Sequence, residues 1–407
     1  MDENIIKALP PMLKGEDLDA ALRILPSYDE HFRQMSITER LIALQDIYSV
    51  YIPSLMSREI YTRLYLSLVR SLQKKRTLLA TRQLSENSRR IRQQHYESII
   101  GGADAFTIIG TSGIGKTSAI SRATSILMEK PILEIDECKL ITCLSVQCPA
   151  DVSVKGLLLE VLRKADETLG SKYYNEAIRA KSTLDVLIGS VSQVALNHIA
   201  VLIIDEIQNI VVHKNGRGII GTLTQLINSS GVAVVMVGTP DCEPFFASEM
   251  ILARRSVGLS YREMKYDEEY KLFVSLMMKY NYTQSHIECN EALYLWLYSH
   301  SGGNRSITVQ LIHDGQEIAI MSGSEQLDIA LLTQAFEQRL TLLHDFIVPE
   351  RKKYASSRKT QKQLNEINVS AELPNSISEI SLLAKRTNSD VVAKLKENGI
   401  LVSEIVL

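Results

Sequence analysis

The chain has 407 residues, 45% of them apolar and 23% charged, enough to bury one large core and two smaller ones. Its net charge of −2 excludes a global attraction to nucleic acid, so any contact with DNA must come from local clusters. The five cysteines are odd in number and lack a C-x-x-C pair, and no apolar run approaches the roughly twenty residues of a membrane span, which argues against a disulfide framework, a zinc site and a membrane anchor.

Residues 1–100 read as helices without strand signals. Ile60, Leu64, Leu68 and Leu72 recur at four-residue spacing, and Ser57-Arg-Glu-Ile60 resembles a helix entry. A basic stretch follows, with Lys74, Lys75, Arg76, Arg82, Arg89, Arg90 and Arg92 set against the acid Glu86. It suits either a solvated helix face or a nucleic-acid contact.

Residues 101–262 alternate apolar strands with helices, the pattern of a parallel sheet covered on both faces. Five strands are predicted: Phe106–Ile109, Leu140–Gln147, Ala200–Ile204, Val232–Val237 and a shorter one at Gly258–Tyr261. The first leads into Gly110-Thr111-Ser112-Gly113-Ile114-Gly115-Lys116-Thr117, with Ser118 next, and an amphipathic helix follows. This is the spelling and the setting of a phosphate-binding loop. Glycines let successive N–H groups turn inward onto phosphate oxygens, Lys116 reaches the β- and γ-phosphates, and the Thr117 hydroxyl is a ligand for Mg²⁺. The expected ligands are therefore ATP and Mg²⁺.

Further on, the apolar run Ile199–Ile204 ends in Asp205-Glu206. An Asp at the end of that strand is placed to hold Mg²⁺, and Glu206 to orient and deprotonate the attacking water, which argues for hydrolysis to ADP and phosphate. The strand Val232–Val237 ends in Gly238-Thr239-Pro240, making Thr239 a candidate γ-phosphate sensor or else a turn residue before proline. Before the last strand stand Arg254 and Arg255, either surface charge or the source of an arginine finger that neutralises charge at a neighbouring subunit's nucleotide.

Residues 263–346 read as four helices, Glu268–Tyr280, Glu291–His300, Ser306–Met321 and Leu327–Phe346. They suit a lid over the nucleotide, and the turn Ser301-Gly-Gly-Asn-Arg305 either brings Arg305 to the γ-phosphate as a second sensor or is a plain Gly-Asn turn with an exposed arginine. A basic segment comes next, with Arg351, Lys352, Lys353, Arg358, Lys359 and Lys362. The final residues, around Ile380–Val402, have the rhythm of a winged-helix-like module or of a plain helical hairpin. Residues 347–407 are thus expected to form a basic linker and a small C-terminal module.

Taken together, the phosphate loop, the Leu202-Ile-Ile-Asp-Glu-Ile-Gln-Asn209 element, Val237-Gly-Thr239, the Arg254-Arg255 pair and Ser301–Arg305 resemble the AAA+ ATPases of the TnsC and TniB type. These regulators choose targets for DNA transposition in Tn7-like elements, including CRISPR-associated ones. The resemblance covers about residues 60–346 and includes the segment Cys148–Leu157. It implies an α/β AAA+ P-loop core with a five-stranded parallel sheet, a helical N-terminal region, a helical lid and a small C-terminal module. It also implies a cytoplasmic ATPase that assembles as a ring or helical filament on double-stranded DNA and links a target-selecting protein to a transposase. In this fold the segments between the second strand and the following helix tend to face the oligomer axis, which nominates Lys155 first, then Lys172, Arg179 and Lys181, either as phosphate contacts without sequence preference or as ordinary surface cations. The alternative within the same branch is a signalling or secretion-associated ATPase that does not act on DNA.

Overall fold

The computed structural model describes residues 9–88, 105–135, 138–148, 153–211, 216–243, 246, 256–287, 289–344 and 347. The chain divides into two compact units, Met1–Ile347 and Val348–Leu407. The second unit, including the predicted C-terminal basic segment and module, lies outside the described residues.

The sheet of the first unit has six strands: β1 (Ala105–Gly110), β2 (Ile132–Ile135), β3 (Cys138–Gln147), β4 (Ile199–Asp205), β5 (Ala233–Gly238) and β6 (Ser256–Tyr261). Their order across the sheet is β2-β3-β4-β5-β1-β6. The last five are mutually parallel, as the sequence predicts, but β2 is an added edge strand that runs antiparallel to β3. At four residues, Ile132-Leu-Glu-Ile135 is too short to show a periodicity, and it exists by pairing with β3. The central strands are long apolar runs because both faces are covered; all seven residues of β4 are buried.

One face of the sheet carries α4 (Lys116–Leu127) and α3 (Leu55–Ser88). Ile60, Leu64, Leu68 and Leu72 point into this layer, each no more than 3% exposed, and α1 (Gly15–Leu22) adds Leu18 and Leu22. The other face carries α5 (Val154–Leu169), α7 (Leu184–His198) and α9 (Gly216–Ser230); the short α6 (Tyr173–Arg179) and α8 (Gln208–Val211) connect them. Helix α3 begins two residues before the predicted entry at Ser57. The Ser54 N–H donates to Ser57 Oγ at 2.7 Å and the Ser57 N–H to Ser54 Oγ at 3.3 Å, a reciprocal cap centred on Ser54.

The basic stretch at the end of α3 is not a uniformly solvated face. Lys74 and Lys75 are buried, at 8% and 1% exposure. The Lys75 ammonium donates to the carbonyls of Ala195, Leu196 (3.1 Å) and Ser230 (3.1 Å), at the C-terminal ends of α7 and α9. The Ala195 carbonyl also accepts the N–H of the cap residue Ile199, and a cation at these helix ends opposes their negative dipoles.

A third core is built by α10 (Glu268–Met278), α11 (Glu291–Ser301), α12 (Arg305–Ser322) and α13 (Ile329–Arg339). The last of these starts at an Asp328 cap and stops at Arg339, short of the predicted Phe346. The N-terminal segment shares this core through α2 (Ile37–Leu44) and the turn at Gln45–Ser49, with Leu44 and Ile47 fully buried. Arg40, 2% exposed, grips both carboxylate oxygens of Glu325 at 2.6 and 2.7 Å and the Tyr282 carbonyl at 3.2 Å. Tyr28 stands edge-on to Tyr280 and Tyr282, with ring centroids 5.7 and 5.4 Å away. The described N-terminal residues therefore divide their packing: 9–22, Tyr51 and 56–72 contribute to the sheet layer, 28–50 and Ile52 to the third core.

Candidate nucleotide site

In a parallel sheet the loops that leave the C-terminal strand ends converge where neighbouring strands diverge in connection. The order β4-β5-β1 puts three such ends side by side: Asp205 closing β4, Thr239 following β5, and the glycine loop following β1. Thr239 lies between the two strands that carry the loop and the acidic pair.

Two loop glycines have left-handed backbones, Gly113 at φ +82° and Gly115 at φ +95°, which side chains on Cβ disfavour. Gly110 is needed for a different reason: a Cβ there would come within 2.9 Å of the Tyr261 carbonyl oxygen. Lys116 folds back over the loop and donates from Nζ to the carbonyls of Gly110 (2.7 Å) and Thr111 (2.9 Å). Burial pulls its ammonium below the usual lysine value, while the Asp205 and Glu206 carboxylates act to hold it up. The Thr111 hydroxyl is buried without a hydrogen-bond partner, so the loop keeps polar capacity facing inward.

Thr117 Oγ1 donates to Asp205 Oδ2 at 3.2 Å, and Asp205, 7% exposed, also accepts the Glu206 N–H at 2.8 Å. A hydroxyl and a buried carboxylate brought together at the loop are the hard oxygen donors that Mg²⁺ takes, so these residues fit the ion and would hold it. Glu206 is exposed and has a left-handed backbone at φ +57°. The Gln208 amide donates to Glu206 Oε2 and accepts the Thr239 N–H at 3.3 Å. The Thr239 hydroxyl, in turn, points to Asp241 at 3.3 Å.

A pocket of about 180 Å³ opens between the loop, the lid and the N-terminal segment. Gly113, Ile114, Gly115 and Ser118 form one wall, Tyr51, Ile52 and Met56 a second, and Phe273, Arg305, Ser306 and Val309 a third. Its lining is mixed: apolar side chains stand beside the Arg305 guanidinium, the Ser118 and Ser306 residues and the loop glycines. Sequence reasoning missed the walls given by Tyr51, Ile52, Met56 and Val309, since no local motif marks residues that meet only through tertiary packing.

Arg305 is not among the Lys116, Asp205 and Glu206 group. Its guanidinium is held by the Ile52 carbonyl at 3.3 Å, by Glu269 at 3.6 Å and by the face of Phe273 at 5.3 Å, and burial lowers its pKa. These contacts set it on the pocket wall, where the sequence reading expects a γ-phosphate contact. The residue beside it reaches the loop instead: Asn304 Nδ2 donates to the Ser112 carbonyl at 2.8 Å, and the Ser306 N–H donates to the Gly113 carbonyl at 3.0 Å. A Cβ on Gly113 would lie 2.6 Å from Asn304 Oδ1, so this glycine serves the lid contact as well as the turn.

Arg254 and Arg255 lie outside the described residues. Lys155 at the start of α5, and Lys172, Arg179 and Lys181 around α6, are exposed and form no ion pair among the described residues. Cys143, Cys148 and Cys242 are buried, with the Cys143 thiol pushed up to about 12 and that of Cys242 to about 11 by burial. No described helix is long and apolar enough to cross a membrane.

The strand order, the loop and the acidic pair define an AAA+ P-loop fold with a mostly parallel sheet. Residues 97–246 match the family model described as an AAA domain. No curated protein matches the chain. Among solved structures, the chain is similar to the ORC2 protein of Aeropyrum pernix in its ADP form, at 16% identity over 71% of this chain and 70% of that one, with a TM-score of 0.47. It is also similar to Aeropyrum pernix ORC1 in complex with DNA (13% identity, 80% and 78% covered, TM-score 0.41). A third similarity is to the RuvB Holliday junction branch migration motor of Thermotoga maritima (14%, 74% and 82%, TM-score 0.36).

Proposed function

We propose that the protein is a Mg²⁺-dependent ATPase that assembles on duplex DNA and regulates transposition. The observation that carries the ATPase reading is the bond from Thr117, beside Lys116 in the loop after β1, to Asp205, beside Glu206 at the end of β4, with only β5 between the two strands. In this reading the base of ATP enters the pocket walled by Tyr51, Ile52, Met56 and Val309, and its phosphates lie along the loop N–H groups. Lys116 leaves the carbonyls of Gly110 and Thr111 for the β- and γ-phosphate oxygens. Mg²⁺ bound by Thr117 and Asp205 would neutralise phosphate charge. Glu206 accepts a proton from water as its oxygen bonds to the γ-phosphorus; the bond to the bridging oxygen breaks and leaves ADP. Thr239 senses the γ-phosphate from the middle strand, and Arg254 or Arg255 of one subunit completes the site of the next.

The DNA role rests on the resemblance of the motifs and on the exposed Lys155, Lys172, Arg179 and Lys181, which form no ion pair among the described residues. As phosphate contacts they bind without sequence preference and weaken as salt rises. Residues 347–407 serve to dock the transposase, and a separate target selector positions the assembly. Electron microscopy of the protein with duplex DNA tests this reading, comparing a slowly hydrolysed ATP analogue with ADP. Rings or filaments on DNA that need the triphosphate are expected. Particles indifferent to DNA in both states would refute the DNA role and favour the signalling or secretion-associated alternative.

A further inference from the structure

We propose that Gln208 is the positioning residue of Glu206: it holds the carboxylate by a hydrogen bond and ties it to the peptide that follows β5. This rests on the reading of Glu206 as the base, and it adds a residue whose part in hydrolysis no motif assigns. A glutamine side chain is one of the few that can donate and accept at the same time. Here its Nε2 donates to Glu206 Oε2 while its Oε1 accepts the Thr239 N–H at 3.3 Å. One amide therefore spans the ends of β4 and β5.

Three surrounding features serve this bridge. The Glu206 backbone is left-handed at φ +57°, unfavourable for a residue with a Cβ, and it is pinned on both sides: its own N–H donates to Asp205 Oδ1 at 2.8 Å, and the Ile207 N–H donates to the Val237 carbonyl at 3.0 Å. That conformation directs the Glu206 side chain away from the buried strand and into solvent, where the Gln208 amide is its only described side-chain partner. Second, Gly238 has no side chain where Gln208 crosses to β5; a Cβ there would lie 3.1 Å from Gln208 Oε1, 2.8 Å from Ile207 Cγ2 and 2.9 Å from Cys242 Sγ. Third, the peptide that Gln208 reads belongs to Thr239, which stands between the phosphate loop and the acidic pair. A shift of residues 238–239 on nucleotide binding is thus passed to the base through a rigid amide, without contact between Gln208 and the nucleotide.

The test compares steady-state phosphate release and the affinity for a fluorescent ATP analogue in the full chain and in Gln208→Met, Gln208→Glu, Glu206→Gln and the Glu206→Gln/Gln208→Met double variant. Met keeps the length and loses both bonds; Glu keeps an acceptor for Thr239 and offers no amide donor to Glu206. Both single Gln208 variants are expected to lower kcat by about tenfold or more, a fraction of what a general base supplies, with KM and nucleotide affinity unchanged. Because Gln208 acts through Glu206, the residual rate of Glu206→Gln should not fall further in the double variant. Wild-type rates in both Gln208 variants would overturn the proposal, as would a rate above wild type, which would make the bond a brake. Losses that multiply in the double variant, or a loss of nucleotide affinity in both single variants, would also overturn it by assigning Gln208 to the integrity of the strand ends. If Glu206→Gln itself hydrolyses ATP normally, it is the base reading that fails.

Discussion

Replacing Arg40 by alanine should unclasp the N-terminal segment from the lid. The guanidinium is 2% exposed and the Glu325 side chain 19%, joined by two bonds of 2.6 and 2.7 Å, and the same guanidinium also serves the Tyr282 carbonyl. Removing one partner of a buried pair costs about 3–5 kcal/mol, since the other charge is left without compensation. The partial exposure of Glu325 places this case near the lower end, about 3 kcal/mol. At about 2 °C per kcal/mol for a large domain, the midpoint of thermal unfolding should fall by about 6 °C. The pH dependence has a definite sign. Hydrogen bonding to Arg40 lowers the Glu325 pKa in the folded protein. Its stabilisation is therefore complete above the unfolded value of about 4.3 and is lost as the pH falls through the lowered folded value. Differential scanning calorimetry of wild type and Arg40→Ala should show a constant gap from about pH 6 to 8 that closes in more acidic buffer. A gap under about 1 °C at neutral pH, or one that widens on acidification, would refute the argument.

Lys75→Met should cost about 2–3 kcal/mol by chemical denaturation, because it removes the donor shared by the carbonyls of Ala195, Leu196 and Ser230 in a buried place; it should leave DNA affinity unchanged, in contrast to an exposed phosphate contact. Asn304→Asp keeps the cap on the Ser306 and Ile307 N–H groups but loses the donor to Ser112, so the melting temperature should hold while nucleotide affinity, followed by fluorescence titration, falls severalfold. Val309→Trp adds bulk to a pocket of about 180 Å³ and should weaken ATP-analogue binding by about tenfold or more, a loss absent if the base binds elsewhere.

The parts of this molecule that were legible in its sequence are the local ones. The glycine loop, Asp205-Glu206 and the four-residue spacing of Ile60 to Leu72 each carry their geometry within a few residues, and strand β4 shows its double burial as an unbroken apolar run. What the sequence hid depends on distant chain. Lys75 reads as surface charge until α7 and α9 bring their C-terminal carbonyls to it. Strand β2 exists by pairing with β3, and the pocket wall at Ile52 exists because that residue packs with helices more than two hundred positions away. Arg305 shows a subtler limit: its place at a helix start was readable, but its direction is set by Ile52, Glu269 and Phe273.

The most direct test of the account is Mg²⁺-dependent phosphate release from ATP by the wild-type protein and by Glu206→Gln, read beside ATP-analogue binding to both. The account predicts turnover in the wild type, and retained binding with hydrolysis reduced at least about a hundredfold in the variant. Equal phosphate release by the two proteins, or none by a wild type that binds ATP and assembles on DNA, would contradict it.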